Sequence, residues 1–460
     1  MEFFFAILFL LFYYIRPQDW VPGLAGANLV KPIIGLWLLF LVVNRSRPSP
    51  LSGVFRTPHD WIMFAYLGYI VFFGDGSVME VLPLLSFYVL TVQSITSWPR
   101  LFSYLKYWNG ALVAIAGIAV ASTVGVDLTG AQDLYNTKMG RLAIGTWLHN
   151  NPNALAHSVV VVIPLSYVLF FWRGSASNRF VLFPALSGLA FYCAWLTQSK
   201  GAFLVGGGLV TLIFVVGRPK LVQIFVIAAA LLVGISALSF LPRMGQMNNL
   251  RADEGVQGRL LAWEMARTAS KQNETGVGWK EFIAYIPWKE GRKHMIVEKA
   301  THSSYVHVAA DLGKYGLFLY LAGIWVAIHT LLALKSKNTL EERCRRALMM
   351  IALAYVLSGW MINRQYHTEY FLLIAVTAAM HRIKKGDELE LNSAENQDID
   401  LATESPGQAG GTTAAFTKAK SLITDYFKPL WNQFGVVDLA CCTFLTWFTF
   451  WMWDYILKNL

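Results

Sequence analysis

A histidine followed by a hydroxyl residue stands where a long polar segment gives way to an apolar one: Thr301-His302-Ser303-Ser304-Tyr305, running on to Gly313 and Gly316. Imidazole exchanges a proton near neutral pH. At a membrane edge, His302 is therefore a candidate general base, or a hydrogen-bonding orienter, for an attacking hydroxyl. Tyr305 follows at one helical turn and joins the candidates. The run from Ser303 to Leu334 is too long for one perpendicular span, which predicts a break near Gly313.

Cations complete the candidate chemistry. Arg259 lies in Gln257-Gly258-Arg259-Leu260-Leu261-Ala262-Trp263. As a helix, this segment sets Arg259, Ala262 and Ala266 on a face beside that of Leu260 and Trp263. An arginine fork matches phosphate oxygens; the bland alternative is pairing with Glu254 or Glu264. Lys200 occupies the hinge Thr197-Gln198-Ser199-Lys200-Gly201, close to the bilayer surface, where a snorkelling lysine is the competing reading. Arg141 precedes Asn151-Pro152-Asn153, in which a turn and an Asn153 helix cap are expected. Arg243 opens the polar segment Pro242–Thr301, whose acids nearly balance its bases. Arg364 and His367 share a short loop that matches no motif.

The elements that must position these residues are membrane helices. Of 460 residues 55% are hydrophobic and 14% charged, so water-soluble packing cannot hide the apolar surface. Apolar runs near the ~20 residues of a spanning helix recur about twelve times between Glu2 and Met380. Every second connection is short and basic: Arg45, Arg47 and Arg56; Arg100 and Lys106; Arg173 and Arg179; Arg218 and Lys220; Lys335 to Arg346; His381 to Lys385. This alternation accounts for the net charge of +10 and places the N-terminus in the cytoplasm. It also places 125–153, 242–301 and the Lys200 hinge outside. Nucleic-acid binding would need a basic face on a soluble domain, which the sequence lacks.

The four cysteines fall outside the external segments and lack metal-site spacing, so neither a disulfide nor a thiolate metal site is expected. Residues 1–385 read as one polytopic domain. Residues 386–435 turn polar and read as a disordered cytoplasmic tail. The aromatic run 436–457 suits either a further span or an interfacial helix.

The pattern His302, Ser303, nine residues, Gly313, two residues, Gly316 resembles the signature of bacterial O-antigen ligases and their O-antigen polymerase relatives. Arg259 with Trp263 and the Gly140 to Asn153 segment match further family features. Ser199-Lys200-Gly201 departs from the family's Ser-Arg-Gly, keeping the charge and losing the fork. The resemblance covers about 140–380. It implies an all-α polytopic integral membrane protein of about twelve transmembrane helices, GT-C-like, with a large periplasmic loop in the bacterial inner membrane. The implied reaction is transfer of an undecaprenyl-diphosphate-linked glycan to an acceptor hydroxyl of a lipid, protein or glycan at the periplasmic face. His302 and Arg259 would be catalytic, and Lys200, Arg259 and Arg141 would hold the diphosphate. Tyr305, Asn153 and Arg243 are further substrate contacts. No metal or cofactor is implied. A polysaccharide polymerase using the same donor is the alternative. A transporter is disfavoured, because the charges cluster in loops rather than in mid-span.

Overall fold

With no water in a bilayer core to satisfy backbone groups, apolar runs fold as helices. The computed structural model describes residues 1–24, 26–27, 29–43, 55–138, 140–215, 218–238, 254–290, 293–403 and 434–459. In chain order the α-helices are α1 Glu2–Tyr14, α2 Pro17–Trp20, α3 Val30–Val43, α4 Pro58–Phe73, α5 Val78–Ser94, α6 Trp98–Ser122, α7 Ala131–Thr137, α8 Pro152–Val159, α9 Val162–Ser166, α10 Phe183–Thr197, α11 Lys200–Val215, α12 Lys220–Leu238, α13 Glu254–Gln272, α14 Ser304–Ala333, α15 Thr339–Ser358, α16 Thr368–Thr403 and α17 Val436–Asn459. Single π-turns at Tyr167–Phe171 and Asn178–Leu182 extend α9 and lead into α10.

Each of the twelve expected runs falls on a helix. Five rods are long and apolar enough to cross a membrane: Trp98–Ser122, Pro152–Phe171, Asn178–Thr197, Ser304–Ala333 and Val436–Asn459. Others are shorter. Val30–Val43, for example, has 14 residues, under the ~20 of a perpendicular span. The chain is thus a helical membrane protein. Its core is rich in aromatic side chains, with Trp37, Tyr66, Tyr88, Tyr104, Tyr320, Tyr370 and Trp453 fully buried.

Loop contacts sort into two groups. At one end Trp98 bonds Asp387, Lys384 pairs with Glu341, Arg173 donates to Thr339, and Thr330 meets His59. These are segments expected in the cytoplasm. At the other end the Trp147 amide donates to Asp19, Gln198 bonds the Gly140 carbonyl, and the Ser304 amide donates to the Gly359 carbonyl.

The long segment expected outside is not a plain loop. It holds α13 and an antiparallel hairpin, β1 Ala284–Glu290 with β2 Lys293–Lys299, paired from Ala284↔Lys299 to Glu290↔Lys293. The hairpin is the one departure from an all-helical chain among the described residues. Its signal was a brief alternation, with Ala284 and Ile286 buried and Tyr285 exposed between them. The expected break in α14 falls at Gly313, whose backbone (φ 64, ψ −164) leaves the helix. The carbonyls released there are taken up: Val277 N–H donates to Ala310 and Gly278 N–H to Asp311. A Cβ on Gly313 would lie 1.9 Å from the Glu274 carbonyl oxygen, so only glycine allows this docking.

The helix α16 continues through Thr403, so 386–403 are helical rather than the start of a structureless tail. Propagating an existing helix costs far less than nucleating one, which lets a polar stretch follow the apolar run. Residues 404–433, the rest of that expected tail, lie outside the described residues, as does Arg243.

Candidate functional site

The site is built on a backbone kink. His302 adopts the left-handed region (φ 51), one residue before the N-cap of α14. The residues around it are pinned inward. Thr301 Oγ1 donates to Asn363 Oδ1 at 3.0 Å, and Ser304 Oγ donates to the Ile362 carbonyl at 2.8 Å. Ser303 caps α14 by accepting from the Val306 amide. Thr301, Ser303 and Ser304 are buried, while His302 remains partly exposed and lines a cavity.

That cavity holds about 250 Å³ and draws its wall from four separate segments. His302 and Lys299 come from the end of the hairpin, Arg259 from α13, Lys200 and Gln198 from the α10–α11 hinge, and Arg141 and Asn153 from the segment entering α8. Four cations and one histidine face it, and no carboxylate is among the described residues that line it.

Local contacts explain the convergence. On α13, Trp263 is one turn after Arg259, and its indole N–H donates to the Thr301 carbonyl at 2.7 Å. This bond sets α13 against the residue preceding His302. Across the cavity, Arg141 donates through Nε to the Thr197 carbonyl at 3.0 Å and through Nη2 to Asn153 Oδ1 at 2.7 Å. The Leu142 amide donates to the Leu196 carbonyl at 3.0 Å, which ties this segment to the Lys200 hinge.

Burial, with Arg259 and Lys299 close by, pushes the His302 imidazole down to about 4. The ring is therefore neutral at neutral pH, the form that can accept a proton.

Of the candidates, Arg141, Asn153, Lys200, Arg259 and His302 come together. Two are placed differently from expectation. Asn151, not Asn153, caps α8, accepting from the Asn153 amide at 2.8 Å. The Asn153 side chain is thereby left to orient Arg141. Tyr305 does not line the cavity; it is buried, and its hydroxyl donates to the Val356 carbonyl at 2.8 Å. The physical reason is that α14 begins only at Ser304, so His302 and Tyr305 do not share a helical face. Lys299 and Gln198 were not singled out by the sequence. Lys299 was one basic residue among many in a mixed segment. Gln198 takes a left-handed backbone (φ 52) that only the hinge geometry reveals.

This is a membrane protein with a cationic cavity at one face of its helix bundle. Residues 185–321 match the family described as O-antigen ligase, and this stretch of the chain is similar to that family. The match includes Lys200, Arg259, His302, Gly313 and Gly316; Arg141 and Asn153 lie before it, and α17 lies beyond it. No curated protein matches the chain.

Proposed function

We propose that the cavity binds the diphosphate of a lipid-linked glycan and that the protein transfers this glycan to an acceptor hydroxyl on the periplasmic side of the inner membrane. The observation that carries this reading is the composition of the wall: Arg141, Lys200, Arg259 and Lys299 line one cavity together with His302. Guanidinium and ammonium groups around one cavity offer a dianionic group several charge-assisted hydrogen bonds. The similarity of residues 185–321 to the O-antigen ligase family supports the donor class in general terms.

In this mechanism the acceptor oxygen forms a bond to the anomeric carbon while the bond from that carbon to the diphosphate breaks. The acceptor proton passes to the neutral His302 imidazole, and the cations stabilise the charge growing on the departing lipid diphosphate. Arg259 takes the central role, since its helix is pinned beside His302 through Trp263. Arg141, held by Asn153, and Lys200 grip the diphosphate from the opposite wall. The reaction is assigned to this chain's own groups, without metal or cofactor, and the twelve-span GT-C-like arrangement belongs to the same proposal.

The test is a purified-protein assay with synthetic undecaprenyl-diphosphate glycan. Lipid, protein and glycan acceptors are offered separately, in excess chelator and without it. Transfer to one acceptor class supports the reading, and chain extension on the donor itself would make the protein a polymerase. Absence of glycan transfer, with correctly folded protein, would sink it.

A further inference from the structure

The helix α17 lies beyond the family match, yet both of its ends are tied to the rest of the molecule by charge. At its start, Asp438 Oδ1 accepts from the Trp325 indole at 2.9 Å and pairs with His329 Nδ1 at 2.9 Å. Cys442 packs with Ile62, Ala322 and Val326. His329 is beside Thr330, which meets His59 at the entry to α4, following the basic connection around Arg56. This end therefore belongs with the segments expected in the cytoplasm. At the other end, Arg267 of α13 grips Asp454 through two hydrogen bonds, Nε to Oδ1 at 2.7 Å and Nη2 to Oδ2 at 2.8 Å. The same guanidinium lies 4.8 Å over Phe450 and 5.6 Å from the Trp453 ring centre. This end belongs with the external segment.

The helix has 24 residues in all, and its anchors Asp438 and Asp454 stand 16 positions apart. At 1.5 Å per residue the whole helix reaches about 36 Å and the anchored stretch about 24 Å, against about 30 Å for a bilayer core. Most of α17's contacts with other helices are to α14, and the order of the anchors makes the two antiparallel.

We infer that α17 crosses the membrane with residue 459 on the His302 side, and that Arg267 and Asp454 are positioning residues for Arg259. The external helix α13 is held at two points one turn apart, by Trp263 on the Thr301 carbonyl and by Arg267 on Asp454. Arg259 projects into the cavity from the same helix, about 12 Å further along its axis from Arg267. A two-pronged Arg–carboxylate contact fixes angle as well as distance, so α17 acts as a strut that sets the pitch of α13 and with it the reach of Arg259. The crossing stands on the anchors alone; the effect on the donor rests on the proposed function.

The test has two arms. A reporter pair, alkaline phosphatase or green fluorescent protein, is fused after Asn459. Phosphatase activity without fluorescence is expected, and fluorescence without phosphatase activity would overturn the crossing. In the second arm, binding of undecaprenyl diphosphate is measured for wild type, Asp454→Asn, Arg267→Gln and the exchange Arg267→Asp/Asp454→Arg. Each single change should weaken binding by about tenfold, equal to ~1.4 kcal/mol, and the exchange should recover most of it. In an Arg259→Ala background, Asp454→Asn should have no further effect. Unchanged binding in the folded single variants, or a full further loss in the Arg259→Ala background, would overturn the positioning role. If wild type binds no undecaprenyl diphosphate, the proposed function falls and the strut's effect on the donor falls with it, while the reporter still decides the crossing.

Discussion

Two polar clusters lie at the end of the bundle expected outside, and they differ in what their cations face. In the first, Arg141, Lys200, Arg259 and Lys299 share one cavity with His302 and no described carboxylate. In the second, Arg364 is buried and paired with a buried carboxylate. Its Nη1 grips both oxygens of Glu369, and its Nη2 donates to the Ala154 carbonyl at 2.7 Å and to Ser158 Oγ at 2.8 Å. His149 completes that cluster through Ser158 at 3.0 Å. Arg364 thus joins the segment after α15 to the start of α8, whereas Arg141, Lys200, Arg259 and Lys299 line the cavity with His302. A cation locked on one buried carboxylate reads as structural. Several cations lining one cavity beside a histidine read as a place for an anionic ligand.

That contrast is open to direct attack. The largest effect is expected at Arg259. Arg259→Ala should lose nearly all transfer and Arg259→Lys only part of it, because lysine keeps the charge without the fork. Normal turnover by folded Arg259→Ala would remove it from the site. Next, His302→Ala should lower single-turnover transfer by ~10²–10⁴-fold with donor binding largely kept; full activity would end the base assignment.

Arg364 should behave in the opposite way. Arg364→Ala leaves Glu369 buried without its partner, and such a loss typically costs about 3–5 kcal/mol of stability. Thermal unfolding should therefore shift strongly downward, while the protein that stays folded binds donor as wild type does. If donor binding were lost without a change in stability, the division between the two clusters would collapse.

The pH dependence sharpens the comparison further. Because the His302 imidazole sits at about 4 rather than 6.5, its base form persists through neutral pH and is lost as pH falls through about 4. Wild type should show this acid limb in transfer rate, and the residual activity of His302→Ala should lack it. A limb near 6.5 in wild type would contradict the packing around His302. Burial also lowers His367 to about 3 and holds His149 well below its ordinary value. A histidine with a depressed folded value stabilises the folded state least in acid: stability should start to fall below about 6.5, the unfolded value, and stop falling once the folded values are passed. The smallest effect is expected for Lys200→Arg, which keeps the charge on the hinge and should leave donor affinity nearly unchanged.

Much of this was legible before folding. The apolar runs announced the helices, since hydropathy over ~20 residues is a local property. The length of the run after Ser303 announced the break at Gly313. His302, Arg259 and Lys200 were legible as residue types in short motifs, each at the join of a polar and an apolar segment. Asn153 was legible as a residue and misjudged as a cap, because Asn151 offers the same chemistry two positions earlier and the backbone at Asn151 is the extended one that a cap requires.

The sequence by itself determined that this chain folds as apolar helices of a membrane protein and where the long polar segment interrupts them. Helical periodicity and hydropathy are written within a turn or two of chain, and they survive any rearrangement of distant parts. Only the tertiary structure decided which cations meet. Arg141 joins Lys200 because the Leu142 amide finds the Leu196 carbonyl, and Arg259 joins His302 because Trp263 finds the Thr301 carbonyl. Tyr305 is turned away by a helix that starts two residues after His302. Those bonds link residues 38 to 54 positions apart in the chain, and no local pattern encodes a partner that only packing brings within 3 Å.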